Sequence, residues 1–185
     1  MLAFELYRPI EDDWESIREI RLRALADEPA AFLERLADVE RFDEAEWRAR
    51  ARRNLGPGSL QLIARLPDGR WIASMTIFTS HGPPAYLGQS DGGAPRANLV
   101  GVWVDPGFRG AEAGVADAVL LALCEWVRDE LGLDRLYLHV GDWNSRARRF
   151  YERHGFRPTG VTEKLPGDLS DFEYELVREL TPSVE

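Results

Sequence analysis

Residues 98–127 read NLVGVWVDPGFRGAEAGVADAVLLALCEWV and join a strand to a long helix through a glycine-containing turn. Asn98 to Val104 has strand character and ends at Asp105-Pro106-Gly107. Apolar residues then recur at spacings of three and four, which is typical of the buried face of a helix: Val115, Ala118, Val119, Ala122, Leu123, Trp126 and Val127. Gly132 ends this helix. We therefore expect the helix to pack on a sheet.

The segments after this helix continue the alternation of strands and helices. Leu136 to Val140 is predicted to be a short strand, and Phe172 to Leu180 a last strand. Between them, Ser145 to His154 carries Ala147, Phe150 and Tyr151 on one face of a predicted amphipathic helix.

Before residue 98 the predicted strands and helices do not alternate one by one. Phe4 to Arg8 reads as a first strand, and a first helix follows from Asp12. A second helical region is predicted over Ala31 to Arg53. Leu60 to Arg65 and Trp71 to Phe78 then read as a hairpin whose turn contains Asp68-Gly69.

These elements give the order β-α-α-β-β-β-α-β-α-β, which predicts an α/β fold with a mixed sheet flanked by helices. A length of 185 residues, of which 44 % are hydrophobic, is enough for one continuous core. We therefore expect a single domain over residues 1–185. Residues 79–97 are dense in Gly and Pro and show no periodicity, so they are predicted to be a loop insertion.

Composition limits the partners of the chain. The net charge of −9 argues against a nucleic acid as main partner, because such binding depends on cationic contacts to phosphate. The single cysteine, Cys124, excludes an intrachain disulfide and a Cys-rich zinc site, and we expect no metal. Since the sequence lacks the run of about 18 apolar residues that a bilayer requires, we expect no membrane segment, no signal peptide and a cytoplasmic location.

The turn from Phe108 to Gly114 is a candidate anion site. Glycines at a strand-to-helix turn let backbone N–H groups converge, and the positive end of the helix dipole then favours a group such as pyrophosphate. A tight connection that binds nothing has the same pattern, so the turn alone leaves both interpretations open.

Residues 142–156, DWNSRARRFYERHGF, supply the context. Asn144 stands at the start of a predicted helix, where its side chain either caps the backbone or bonds a ligand. Tyr151 follows two turns later and presents a phenol to the same side or packs in the core. The two segments together form the strand-helix-strand-helix unit in which open α/β sheets bind ligands.

These segments resemble the GNAT acetyltransferase family. The resemblance rests on Val102-Trp103-Val104-Asp105-Pro106, on Phe108-Arg109-Gly110 with a glycine shortly after, and on Asn144-x-x-Ala147-x-x-x-Tyr151-x-x-x-Gly155-Phe156, and it covers about residues 98 to 180. It implies a mostly antiparallel sheet and a transferase that moves an acetyl group from acetyl-CoA to a primary amine of a small molecule or peptide by direct attack. The alternative is a non-catalytic acyl-CoA-binding or regulatory module of the same fold.

The resemblance also implies a set of site residues. Cofactor-binding positions are expected at Val102, Trp103, Val104, Arg109, Gly110, Ala111, Glu112, Ala113, Gly114, Val115, Ala116, Asn144, Arg149 and Tyr151. Tyr151 matches the family's general acid, and a backbone N–H around Val102 to Val104 polarises the thioester carbonyl. The general base stays open between Asp105, His81, His139, Glu173 and a chain of water molecules.

The phosphate loop departs from the family's usual pattern, Arg/Gln-x-x-Gly-x-Gly/Ala. Counted from Arg109, the pattern places Glu112 at the first glycine, where its charge repels phosphate. The other register uses Gly114-Val115-Ala116 as the glycine step and implies a two-residue insertion after Gly110; we prefer this register. The acceptor is open, although net acidity favours cationic amines such as polyamines. The resemblance also permits a homodimer, because dimers are common in the family.

Overall fold

The computed structural model describes residues 2–81, 93–164 and 172–180. Their helices and strands are β1 (Glu5–Tyr7), α1 (Trp14–Asp27), α2 (Leu36–Val39), α3 (Glu44–Asn54), β2 (Ser59–Arg65), β3 (Trp71–His81), β4 (Pro95–Val104), α4 (Val115–Asp129), β5 (Arg135–Gly141), α5 (Ser145–Arg153), β6 (Arg157–Lys164) and β7 (Phe172–Glu179).

The strands form one seven-stranded sheet in the order β1-β2-β3-β4-β5-β7-β6. β4 and β5 are parallel, whereas β1 with β2, β2 with β3, β5 with β7 and β6 with β7 are antiparallel. The predicted α/β fold with a mixed, mostly antiparallel sheet is therefore confirmed.

The element order differs from the predicted one in two places. The helical region expected over Ala31 to Arg53 is two helices, because α3 has its own N-terminal cap: the Asp43 carboxylate accepts from the N–H of Glu46, and the Glu46 carboxylate accepts from the N–H of Asp43. β6 was absent from the predicted order. Its residues are almost all exposed, so they lack the hydrophobic alternation by which strands are predicted.

The loop predicted over residues 79–97 is shorter than expected at both ends. β3 continues to His81 and β4 begins at Pro95. Near these ends, Nδ2 of Asn98 donates to Oγ of Ser80 at 3.0 Å. Residues 82–92 lie outside the described residues.

Contacts divide the chain into two compact units, of which the first comprises Met1–Phe78 and Gly101–Leu123. Its core is formed by residues of α1, α2, α3 and three strands: Ile17, Ile20, Ala24, Leu25, Val39, Trp47, Ala51, Ile63, Trp71 and Trp103. Fully burying one such isoleucine stabilises the fold by roughly 1.5–3 kcal/mol. The core therefore fixes α1 and α3 against the strands of this unit.

The second unit comprises Thr79–Val100 and Cys124–Glu185. β5 pairs with β7 from Arg135↔Glu179 to Gly141↔Glu173, and Leu136, Leu138 and Val140 of β5 are buried. β5 pairs with β4 only over Ala97–Leu99, although β4 runs on to Val104. The single domain expected over residues 1–185 stays a prediction.

Candidate functional site

The interior of β4 contains a backbone irregularity at Gly101. Its φ of 61° lies in the left-handed region that favours glycine. A Cβ placed on Gly101 would lie 3.8 Å from Oγ1 of Thr76 and 4.0 Å from Nη1 of Arg21, so conformation rather than lack of space requires glycine. Gly101 was not among the predicted site residues, although an isolated glycine inside a strand indicates a bulge or a close approach of the backbone.

The residues after Gly101 were predicted to contact the cofactor. Val102 and Val104 are half-buried, and Trp103 is buried in the core of the first unit. Nε1 of Trp103 donates to Oδ2 of Asp27 at 2.9 Å. The Trp103 side chain therefore has a structural role. The predicted cofactor contact concerns the backbone N–H groups of Val102 to Val104.

Arg109 is held by groups of the first unit. Its Nε donates to the carbonyl oxygen of Val104 at 2.8 Å, and its guanidinium binds Asp27 and, at 3.3 Å, Glu28. Two carboxylates thus oppose its positive charge. The expected contact of Arg109 with phosphate stays a prediction.

The turn before α4 has the backbone of an anion site. Gly110 and Gly114 have φ of 106° and 64°, and apart from chain neighbours no described residue lies within 4 Å of a Cβ placed on either. The N–H of Ala118 donates to the carbonyl oxygen of Gly114 at 3.0 Å, whereas the N–H groups at the start of a helix have no partner within the helix. The amino terminus of this 15-residue helix, with Val115 and Ala116, therefore fits a pyrophosphate.

Two carboxylates distinguish this turn from an ordinary phosphate site. Glu112 is exposed between Ala111 and Ala113, and Asp117 lies in the first turn of α4. An acidic side chain at a helix amino terminus is stabilised by the same dipole that attracts phosphate, and its charge repels a second anion. The fit to pyrophosphate thus depends on backbone N–H groups.

The remaining predicted site residues lie in the second unit, on or next to α5. Oδ1 of Asn144 accepts from the N–H of Ala147 at 3.0 Å, so its oxygen caps the helix and its amide nitrogen is the group suited to a ligand. Tyr151 is only 5 % exposed. Its ring centroid lies 5.4 Å from that of Phe150 and 5.5 Å from that of Phe156. Arg149 is exposed.

A close contact at the end of β5 was also missed. A Cβ placed on Gly141 would come within 2.3 Å of the Trp143 ring, so this position requires glycine. The contact fixes Trp143, which is 38 % exposed, directly before Asn144. Nothing in the local sequence pattern indicates that the ring folds back over Gly141.

Two of the four side chains considered as general base differ strongly in their surroundings. Asp105 forms an ion pair with Arg23 and accepts from the N–H of Gly107 at 2.9 Å. His81 is exposed at the end of β3. Asp105 therefore has a structural role that a free base would lack.

The other two candidates are partly withdrawn from water. Burial lowers the pKa of His139, the charge of Glu175 opposes that shift, and the charge of Arg96 adds to it. Nε2 of His139 lies 3.7 Å from Oε2 of Glu175, too far for a hydrogen bond. Burial raises the pKa of Glu173. Both pKa shifts favour the uncharged form of the side chain relative to the same group in water.

Within the described ranges, no three His, Cys, Asp or Glu side chains are grouped so that they could hold a metal ion. In the same ranges, no helix combines the length and the apolar character that crossing a bilayer requires.

The sequence model of the acetyltransferase (GNAT) family matches residues 14–156. N-acetyltransferases of Mycobacterium tuberculosis and Mycobacterium bovis, both named uncharacterized, are each 35 % identical over 77 residues, which is 40 % of this chain. The match covers 46 % of each relative, so the chain spans about half the length of the curated relatives it matches.

Solved structures of acetyltransferases share the fold. A GNAT-family acetyltransferase from Streptococcus pneumoniae has a TM-score of 0.73 at 16 % identity, covering 96 % of this chain and 99 % of that one. An acetyltransferase from Salmonella typhimurium, solved with acetyl-CoA, has a TM-score of 0.71 at 15 % identity, covering 99 % and 97 %. A spermidine N-acetyltransferase chimera of Vibrio cholerae and hSSAT has a TM-score of 0.68 at 16 % identity, covering 96 % and 95 %.

Proposed function

Since the chain belongs to the acetyltransferase (GNAT) family, we propose that it transfers an acetyl group from acetyl-CoA to a primary amine of a small molecule or peptide by direct attack. The observation that carries this proposal is the glycine turn at the amino terminus of α4, within the region that matches the family. The resemblance of Asn144, Tyr151, Gly155 and Phe156 to the family's second motif supports it.

Acetyl-CoA, when bound, supplies an acetyl group activated as a thioester. Backbone N–H groups of residues 110–116 hold its pyrophosphate, and the amide nitrogen of Asn144 contacts its pantetheine arm. Arg149, which is exposed, reaches its phosphates as a cation. In this proposal Glu112 and Asp117 limit the affinity, because they add negative charge where phosphate binds.

The β4 backbone after Gly101 polarises the thioester carbonyl. The β4–β5 ladder ends at Leu99, so the N–H of Val102 takes no part in that ladder. The left-handed backbone at Gly101 breaks the regular strand just before Val102. A fixed N–H donor aimed at the carbonyl oxygen stabilises the negative charge that develops there during attack.

Proton transfer needs an acid and a base. Tyr151 protonates the departing thiolate, as its match to the family's motif implies. Of the candidate bases, His139 is the group that we favour among the described residues, because burial lowers the pKa of its imidazole, which favours the neutral form, and Nε2 has no hydrogen-bond partner there. Asp105 is the least suited, because it binds Arg23.

The second candidate function, an acyl-CoA-binding or regulatory module without turnover, draws support from the acidic residues Glu112 and Asp117. The difference between the two functions is turnover, not cofactor binding.

Similar structures include a protein named for spermidine, a small-molecule amine, which favours a small-molecule amine as the acceptor of the proposed transferase.

The experiment is a calorimetric titration of the purified protein with acetyl-CoA, with free CoA and NAD as controls. Micromolar affinity for acetyl-CoA and CoA, and none for NAD, is the expected result. Amines are then screened by release of free CoA thiol. Binding without release from any amine supports the non-catalytic module, and absence of binding contradicts both functions.

A further inference from the structure

Two arginines and one glutamate form a cluster in the first unit, composed of Arg21, Glu34 and Arg50. Nε and Nη2 of Arg21 donate to Oε2 of Glu34 at 2.9 Å and 2.6 Å. Nη2 of Arg50 donates to Oε1 of the same carboxylate. The side chains of Arg21, Arg50 and Glu34 are 19 %, 15 % and 30 % exposed. The three side chains are therefore mostly shielded from bulk water, and each keeps a fraction of its surface exposed.

The charges of this cluster do not balance. Burial raises the pKa of Glu34, but the positive charges of Arg21 and Arg50 outweigh burial and hold that pKa below its usual value. Burial lowers the pKa of Arg21, Glu34 opposes this shift, and the charge of Arg50 adds to it. Because arginine stays protonated in proteins, two positive charges face one negative charge. The cluster carries a net charge of about +1.

Hydrogen-bond donors also outnumber acceptors in the cluster. Arg21 donates to Glu34 through Nε and Nη2. Its third nitrogen, Nη1, has no acceptor among the described residues. The Arg50 guanidinium lies 5.4 Å from the ring centroid of Trp47, whose buried Nε1 has no acceptor in the described ranges either. An anionic group that accepts from the free guanidinium N–H groups would balance both charge and hydrogen bonding.

The arginine that offers the free donor is held in place by its neighbours. Its guanidinium carbon lies 4.4 Å from the ring centroid of Phe32, and Glu34 fixes its other two nitrogen atoms. Since the fork is already oriented, little side-chain entropy is lost when an anion binds. The cluster is thus prepared before the ligand arrives.

The position of this donor relates the cluster to the proposed reaction. Nη1 of Arg21 lies 4.0 Å from the Cβ position of Gly101, the residue directly before Val102. The proposed function places the thioester carbonyl at the N–H of Val102, so the acceptor amine must arrive beside this part of β4. An anion bound by Arg21 would therefore lie next to the attacking amine.

We propose that Arg21 and Arg50 bind the carboxylate of the acceptor, and that the acceptor is an α-amino acid. Amine and carboxylate are attached to one carbon in such a molecule, so both can lie beside the same stretch of strand. This inference rests on the proposed acetyltransferase function. It opposes the expectation of a cationic acceptor, because the local charge that an acceptor meets here is positive although the chain as a whole is acidic.

The first experiment uses the wild-type protein. The twenty proteinogenic L-α-amino acids, spermidine and a peptide with a free N-terminus are compared as acceptors with acetyl-CoA. Each amino acid that is acetylated is then compared with its carboxamide. We expect kcat/KM to be roughly 10- to 100-fold higher for the acid, as the loss of a charge-assisted hydrogen bond implies. The amine of the carboxamide is less basic, so a larger fraction of it is deprotonated and able to attack at neutral pH. Amine basicity alone would therefore give the carboxamide the higher kcat/KM.

The second experiment uses variants of the cluster. Arg21→Gln and Arg50→Gln should raise KM for the amino acid roughly tenfold or more and change kcat/KM for the carboxamide little. Arg21→Lys keeps the positive charge but loses the forked guanidinium, so its KM for the amino acid should lie between those of the wild type and Arg21→Gln. Arg48→Gln is the matched control, because Arg48 lies on the same helix as Arg50 and pairs with Glu44 and Asp12 instead. The affinity for acetyl-CoA should be the same in all four variants.

The outcomes separate this inference from the proposed function. If the wild-type protein binds acetyl-CoA and acetylates spermidine or the peptide but no amino acid, the inference is wrong and the proposed function stands. Equal kcat/KM for acid and carboxamide also overturns the inference, even if no arginine variant folds. If nothing is acetylated by a protein that binds acetyl-CoA, the proposed function and the inference fail together.

Discussion

Single residues divide into those whose chemistry the local sequence indicates and those whose surroundings the fold creates. Tyr151 is of the first kind: the resemblance of the Asn144 to Phe156 segment to the family's motif predicts its role as general acid, and the structure adds that its ring packs against Phe150 and Phe156. His139 is of the second kind, because its strand places it beside Glu175 of β7.

Tyr151→Phe should lower kcat about 10²- to 10⁴-fold, the range that general acid catalysis contributes. The affinity for acetyl-CoA should stay nearly unchanged, because phenylalanine preserves the packing against Phe150 and Phe156. Steady-state kinetics and calorimetry measure the two quantities. Tyr137→Phe on β5 serves as control for the loss of a phenol elsewhere, and unchanged kcat in the Tyr151 variant would remove the general-acid assignment.

His139→Gln should reduce the loss of stability at acid pH. The pKa of His139 is lowered in the folded state, so below the ordinary value of about 6.5 the unfolded chain binds the proton more readily. Stability therefore decreases as pH falls from there through the folded-state pKa. Urea midpoints measured at about pH 7.5 and about pH 5.5 test this prediction. His81→Gln, at an exposed residue, is the control, and an equal pH dependence of wild type and His139 variant contradicts the prediction.

Helices and strands differ in how far their own sequences determine them. α4 was predicted from its apolar periodicity, and Val115, Val119, Leu120, Leu123 and Val127 are fully buried. The division between α2 and α3 depends on the capping pair Asp43 and Glu46, a local signal that is present in the sequence. β6 exists because β7 pairs with it, from Arg157↔Val177 to Lys164↔Phe172.

Gly101→Ala in β4 should destabilise the fold by about 1–2 kcal/mol, because a Cβ is disfavoured at a φ of 61°. Relaxation of the strand should also displace the N–H of Val102 and lower kcat. Urea unfolding and steady-state kinetics measure the two effects.

Gly69→Ala is the matched control for this variant. Gly69 has a φ of 88° in the turn between β2 and β3, and apart from its chain neighbours no described residue lies within 4 Å of a Cβ placed on it. It should lose similar stability while kcat stays unchanged. Equal kcat in the two variants would show that the backbone at Gly101 has no part in the reaction.

The whole molecule is described as two units, yet the boundaries between them fall inside β4, after Val100, and inside α4, after Leu123. A strand and a helix are each cooperative structures, so we expect the chain to unfold as one domain. Cys124 is a suitable probe of the second unit. It is 6 % exposed, and burial raises the pKa of its thiol, so it should react only after unfolding.

Urea unfolding of a Trp126→Phe/Trp143→Phe variant should give one midpoint by two probes. Its remaining tryptophans, Trp14, Trp47, Trp71 and Trp103, all belong to the first unit. Their fluorescence should change at the urea concentration at which Cys124 becomes reactive to a thiol reagent. Cys124→Ala shows that the labelling is specific. Two separate midpoints would contradict a single domain.

The sequence alone determined the fold class and the two family motifs, because helix periodicity, turn glycines and the Asn144 to Phe156 spacing are local properties of the chain. The tertiary structure decided the rest. Arg21, Glu34 and Arg50 come from α1, the segment after it and α3, and only the burial of Ile17, Trp47 and their neighbours brings them together. Contacts between such distant residues depend on packing, which leaves no periodic pattern in the sequence; the same holds for an exposed edge strand such as β6.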